Sequence, residues 1–279
     1  MRLGVSPYGS DRASTLAFAD AAVAAGIDTL WLGDGMFRRP DFAGWRGGLE
    51  SLTELAWLSG RFPGARIGIT AAVLPLRDVD WLAREAATLD HLTEGRFVLA
   101  VAAGFWPDEL VYRRIDPERR GAELRLRLHI LQQRLSGDGP LSPAPHTPGG
   151  PPIWLAGGAA TMRLALARDL PYQASRALPD ELAPLAARWF DGGGGLLAHR
   201  IYVEAGEPGH VPDGVQVDRH VLTGSADRLA DGLARFAAMG VGDCSMVLGH
   251  DDASARRTLD MLATSVLPQL NEMSVDAPR

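Results

Sequence analysis

Three stretches of the chain carry residue types that can do chemistry. Ala156-Gly157-Gly158-Ala159-Ala160-Thr161 joins an apolar run to a helix-forming one. Backbone N–H groups at such a helix start have no intrahelical partner, so an anion, above all a phosphate, is favoured above them. A tight turn that needs glycine for positive φ is the plainer reading of the same residues. Gly104-Phe105-Trp106-Pro107-Asp108-Glu109 sets two aromatic rings and two carboxylates directly after the most apolar strand-like run. Aromatic walls beside a few polar groups suit a flat conjugated ring, and a partly desolvated Asp108 or Glu109 can serve as acid or base. Equally, Phe105 and Trp106 can pack a helix while the two acids favour its start. Asp34, between Gly33 and Gly35, is either a turn former or a ligand contact.

Other chemistries are not supported. No His-Glu-x-x-His or similar spacing predicts a metal site, and no Gly-x-Ser-x-Gly elbow occurs. Cys244, the single cysteine, has no thiol to pair with and lies in a strand-like run, where a buried inert thiol is expected. All 28 basic residues are arginine, which removes Schiff-base chemistry. A net charge of −6 with interleaved acids and no basic stripe speaks against nucleic acid as a partner. No apolar run is long enough to span a bilayer, and the first residues show no export signal, so a soluble cytoplasmic protein is expected.

The elements that must position these stretches alternate. Short β-rich runs at Leu3 to Ser6, Thr29 to Leu32, Ile67 to Val73, Phe97 to Ala102, Ile153 to Ala156, Tyr172 to Ser175, His199 to Val203 and Cys244 to Leu248 are separated by amphipathic stretches. Those stretches predict helices over Thr15 to Ala25, Leu49 to Leu58, Asp80 to Leu92, Arg119 to Leu135, Ala160 to Arg168, Asp180 to Phe190, Ser225 to Met239 and Ala253 to Leu270. Gly33 to Gly48 and the Pro- and Gly-dense Ser136 to Pro152 read as loops. Eight strand-helix units over residues 1–279 predict one α/β domain, a single (β/α)8 TIM barrel. In such a barrel the site is built after the strand C-termini, which points to Ser6, Pro7, Gly33 to Met36, Thr70 to Leu74, Ala103 to Glu109, Gly157 to Thr161, Arg176, Glu204 and Gly249 to Asp251.

The run Ala83-Arg84-Glu85-Ala86-Ala87-Thr88-Leu89-Asp90-His91-Leu92-Thr93-Glu94-Gly95-Arg96-Phe97, leading into Val101-Ala102-Ala103-Gly104-Phe105 and Glu109, resembles the luciferase-like monooxygenases. Arg119-Arg120-Gly121, Pro151-Pro152-Ile153-Trp154 with Gly157-Gly158, and Thr223-Gly224-Ser225 to Met239-Gly240-Val241 add to the resemblance, which spans most of the chain. It implies an oxidoreductase holding reduced FMN or the deazaflavin coenzyme F420 and acting on a small organic substrate. The ring would lie against Thr70, Ala71, Ala103 and Gly104, with a non-proline cis peptide near Thr70-Ala71 and the phosphate at Gly157 and Gly158. Asp34 and Glu109 are the residues assigned to proton transfer. The resemblance breaks where the family carries a histidine after the acidic residue ending the second strand, because Gly35 follows Asp34 here. Its Asp-Gly-Trp after the fifth helix is replaced by Asp169-Leu170-Pro171-Tyr172. Two other classes therefore stay open: a non-catalytic flavin-binding barrel, and a cofactor-free isomerase or lyase. Apolar helix faces such as Leu49 to Leu58 permit a homodimer.

Overall fold

The computed structural model describes residues 1–7, 11–37, 39, 48–137, 142–207 and 220–275. Residues 38 and 40–47 of the first expected loop, and 138–141 of the second, lie outside the described residues. In chain order the elements are β1 (Arg2–Val5), α1 (Arg12–Ala24), β2 (Thr29–Leu32), α2 (Ser51–Arg61), β3 (Arg66–Val73), α3 (Val79–Leu92) and β4 (Phe97–Ala102). Then come α4 (Pro107–Tyr112), α5 (Arg120–Leu135), β5 (Ile153–Ala156), α6 (Ala159–Arg168), β6 (Tyr172–Ser175), α7 (Pro179–Asp191) and β7 (Leu197–Ala205). The last are β8 (Val221–Gly224), α8 (Ala226–Ala238), β9 (Val241–Leu248), α9 (Asp252–Met261) and α10 (Leu267–Val275).

The strands are hydrogen-bonded in the order β6-β5-β4-β3-β2-β1-β9-β7-β8, and β6 also pairs with β7. The ring thus closes as eight parallel strands, the (β/α)8 barrel that the alternation predicts. β8 stands outside that count. It pairs with only the last residues of β7, Tyr202 to Ala205, while Arg176 just past β6 bonds Arg200 lower on the same strand. The sequence reading gave β8 no strand because its four residues sit directly against the cap of α8, leaving too short a run for period-two alternation to register. It also missed α4, a six-residue helix opened by Pro107, and it ran the last helix through residues 262–266, which form a π-helical turn between α9 and α10. Among the described residues no helix is long and apolar enough to cross a membrane.

Two compact units divide the chain, the boundary falling inside β2 and β6. The unit of residues 31–37 and 48–172 shows why its sequence folds as it does. Asp78 caps α3 by accepting from the backbone N–H of Asp80 and Trp81, and Leu82, Ala83, Ala86, Ala87 and Leu89 recur at helical spacing on the buried face. Asp90, fully buried at the end of that face, accepts from the Thr147 backbone N–H at 2.6 Å and its hydroxyl at 2.9 Å. The Leu89-Asp90 to Gly95-Arg96 run is therefore architectural: it ends a helix and pins a distant loop. On α5 Leu124, Leu128, Leu131 and Leu135 are all buried, each contributing about 2 kcal/mol of transfer free energy. Trp31 and Trp154 pack with ring centroids 5.3 Å apart, with the Arg66 guanidinium 5.2 Å from the Trp154 ring. Gly68 lies under Trp31, where an added Cβ would come within 2.2 Å of the indole.

The other unit, residues 1–30, 38–47 and 173–279, holds β1, β7, β8 and β9 with α1 and α7 to α10. β1 and β7 flank β9, which is buried on both faces in the manner of a parallel barrel strand. Ser225 caps α8, whose buried Leu229, Leu233 and Phe236 repeat every three to four residues.

Candidate active site

The residues singled out on β2 to β5 all fall in the unit containing residues 48–172. Asp34, just past β2, is not a simple turn former. Its Oδ2 accepts from the Val73 backbone N–H and from Arg77 Nε, both at 2.9 Å, and its Oδ1 accepts from Arg77 Nη2 at 2.7 Å. This is the bidentate fork that guanidinium and carboxylate form best. Arg77 Nη2 also donates to Glu50 Oε1 at 2.7 Å, and Glu50 in turn caps α2 by accepting from Thr53. Burial works to lower the Arg77 pKa, but hydrogen bonds and charge from Asp34 and Glu50 outweigh it and hold the guanidinium above its ordinary value. Burial likewise works to raise Glu50, and Arg77 with Thr53 reverses it, leaving that carboxylate below its usual range. Arg77 and Glu50 escaped the sequence reading because each lies just outside a strand or helix end, with no motif to mark it.

Glu109, in the first turn of α4, is 2% exposed. Its Oε1 accepts from the backbone N–H groups of Met36 at 2.8 Å and Phe37 at 2.9 Å. The loop after β2 is thus held by two carboxylate attachments, Asp34 reaching outward and Glu109 reaching in. Phe37 meets Tyr112 of α4 edge-on at 5.2 Å. Phe105 is 63% exposed and touches Trp106 edge-on at 5.7 Å, so it does not pack a helix.

The remaining candidates lie within β3 or just past β4 and β5, which pair in succession. β3 pairs with β4 through Ala72↔Val101 and Val73↔Ala102, after a register slip that follows Ile69. Thr70-Ala71 is a cis peptide, at the bond where the resemblance placed one. Gly104 has φ +95°, and a Cβ there would meet Val73 Cγ1 at 2.9 Å, so glycine is required between Ala103 and the aromatic pair. β5, paired to β4, runs into Gly157 and Gly158. Gly157 has φ +154°, its carbonyl accepts from Tyr172 Oη at 2.5 Å, and a Cβ on it would strike Thr161 Oγ1 at 2.6 Å. Gly158 is the N-cap of α6 with no side-chain cap, and no atom lies within 4 Å of the place its Cβ would take. A ten-residue helix thus opens on exposed glycine-lined space with its first N–H groups uncapped by any side chain, a donor set that fits a phosphate or another anion.

In the other unit, two strand-end residues named from the sequence meet. Glu204 on β7 and His250 just past β9 are joined Oε1 to Nδ1 at 2.9 Å.

A sequence profile of the luciferase-like monooxygenase family matches residues 2–190. The 4-hydroxyprotoasukamycin monooxygenase of Streptomyces nodosus subsp. asukaensis is 36% identical over 122 residues, 42% of this chain and 30% of that protein. The match therefore spans less than a third of that curated relative's length. Two solved structures superpose over nearly whole chains. The oxygenating constituent of 3,6-diketocamphane monooxygenase from the CAM plasmid of Pseudomonas putida, a type II Baeyer-Villiger monooxygenase in complex with FMN, is 18% identical with a TM-score of 0.73, covering 97% of this chain and 98% of that one. An F420-dependent secondary alcohol dehydrogenase in complex with an F420-acetone adduct is 15% identical with a TM-score of 0.71, covering 96% and 98%. At these identities the two structures speak for the fold.

Proposed function

This chain belongs to the luciferase-like monooxygenase family of oxidoreductases, and we propose that it works with FMN or the deazaflavin F420 on a small organic substrate. The observation that carries the reading is the start of α6, where Gly158 offers an open, uncapped helix terminus beside Gly157. Both candidate cofactors bear a phosphate, and the N–H groups of that turn would hold it. When bound, such a group supplies hydride transfer or, as a reduced flavin, activation of molecular oxygen.

The chain's own part is to bind and orient. Thr70 and Ala71 within β3, with Ala103 and Gly104 just past the β4 that pairs with it, would support the ring, with Gly104 leaving room that a side chain would fill. Phe105 and Trp106 would shield the site from water, which strengthens every electrostatic contact inside it. Asp34 and Glu109, assigned to proton transfer from the sequence, are in this reading positioning residues. Their hydrogen bonds to Arg77, Val73, Met36 and Phe37 fix the loop after β2.

The test is an equilibrium titration of the protein with FMN and with F420, each oxidised and reduced. One should bind, and Gly158→Trp should weaken it at least about tenfold, or 1.4 kcal/mol, while the melting temperature holds. An unchanged affinity defeats the phosphate assignment, and binding weaker than about 1 mM for both cofactors defeats the cofactor reading. A second reading, a cofactor-binding barrel without turnover, is favoured by Gly35 standing where the family has its histidine and by the full engagement of Asp34. Binding without any turnover on a panel of alcohols, aldehydes and ketones would select it.

A further inference from the structure

We propose that His250, with its tautomer set by Glu204, is a general acid–base residue of this chain. Glu204 is on the last turn of β7 pleat before Ala205 and its side chain is 6% exposed, whereas that of His250 is 18% exposed. An ionised carboxylate can only accept, so Nδ1 of the ring must be the donor in the 2.9 Å contact. In the neutral imidazole that leaves the lone pair on Nε2, the arrangement by which a carboxylate prepares histidine for proton transfer. Asp251 Oδ2 lies 3.6 Å from Nε2, beyond hydrogen-bond reach, and its side chain is 58% exposed. Among the described residues, Glu204 and Asp251 are the charged groups that form ion pairs with the ring.

The backbone beneath the pair is built to hold it. Ser254 Oγ accepts from the backbone N–H of both His250 and Asp251, at 2.9 and 3.0 Å, while Asp251 caps α9 through the Ser254 N–H. Gly249 donates to the Val203 carbonyl, and a Cβ on it would meet the Ala255 nitrogen at 2.4 Å. Thr258 Oγ1, fully buried, accepts from the Ala205 N–H. One helix, α9, therefore fixes both the strand carrying Glu204 and the loop carrying His250. Both residues stand at C-terminal strand ends, where barrels of this fold place their chemistry.

Among the described residues, His199 and His220 lack this combination. His199 is fully buried, bonds a carbonyl through Nε2 and has its pKa pushed down to about 4, mainly by burial. His220 pairs with Glu181, but both side chains are well exposed to water. At His250 the step is a proton transfer alone: Nε2 takes the proton of a substrate hydroxyl, leaving the oxygen its electron pair, and Glu204 stabilises the imidazolium. The reverse protonates a developing alkoxide. A substrate bearing a hydroxyl or carbonyl oxygen follows. Which reaction the dyad serves rests on the oxidoreductase reading above, while the state of the ring does not.

Two measurements on the full chain decide it. With 15N-labelled histidine, NMR of the neutral ring should show His250 protonated at Nδ1, and Glu204→Ala, which removes the acceptor, should abolish that tautomer preference. A neutral ring protonated at Nε2 overturns the proposal. With whichever cofactor binds, His250→Gln should lower kcat on a panel of alcohols, aldehydes and ketones about a hundredfold. It should also remove one limb of the pH profile and leave cofactor affinity unchanged; an unaltered kcat and profile overturns the proposal. Failure of the wild type to bind either cofactor would sink the oxidoreductase reading only, and the labelled imidazole would still decide the dyad.

Discussion

The loop after β2, held by Asp34 and Glu109, and the end of β7, with Glu204, each engage largely buried carboxylates, and they use them in opposite ways. Asp34 and Glu109 spend their oxygens on backbone N–H groups and on a guanidinium that stays charged at any ordinary pH. Glu204 spends one on an imidazole, whose far nitrogen can still gain or lose a proton. All three side chains are carboxylates and all are largely buried. The partner decides whether the carboxylate holds a loop or prepares an acid–base group, and a partner distant in sequence is what a sequence does not display.

The largest effect is expected at Asp34. Asp34→Ala leaves a largely buried Arg77 without its main counter-charge, so urea denaturation should show a loss of about 3 kcal/mol. A loss below about 1 kcal/mol would mean that the pair does not fix the loop. Next comes His199, an imidazole with no carboxylate. Its folded-state pKa of about 4 lies below the ordinary 6.5, so the unfolded chain binds the proton first. Stability should be level above pH 6.5 and fall by about 3 kcal/mol between 6.5 and 4, read from urea midpoints across that range. His199→Asn should flatten this slope, and a slope that persists would place the acid sensitivity elsewhere. Glu109→Ala releases the N–H groups of Met36 and Phe37 and should cost about 2 kcal/mol, with faster hydrogen exchange at those two amides. Retained protection at both would show that the loop is held by other means. Smallest is the exposed Arg134–Asp80 pair, where Arg134→Ala should change stability by no more than about 0.5 kcal/mol in the same assay.

The strand-helix alternation was legible because each barrel strand is a run of buried apolar residues bounded by turns. Even the short Tyr172 to Ser175 run proved to be β6. What stayed hidden was what has no period: the four-residue β8, the Pro-opened α4 and the π turn before α10. The candidate site shows the same limit. The place of Gly157 and Gly158 between a strand and a helix was legible from the apolar run before them and the helix-forming run after. Arg77 was not, since nothing local distinguishes an arginine that salt-bridges a residue 43 positions earlier from one in solvent. Glu204 and His250 could be named as strand-end residues from topology, but their pairing needed the register of β7 against β9.

The contact between Gly68 and Trp31 bears on how such a chain can drift. A methyl group at position 68 cannot be accommodated while the indole stands 2.2 Å from where it would go. Shrinking Trp31 first leaves only a cavity, which costs stability but clashes with nothing. Substitutions at these two positions therefore have a permitted order, and a lineage that has filled position 68 cannot regain the tryptophan until it first restores the glycine.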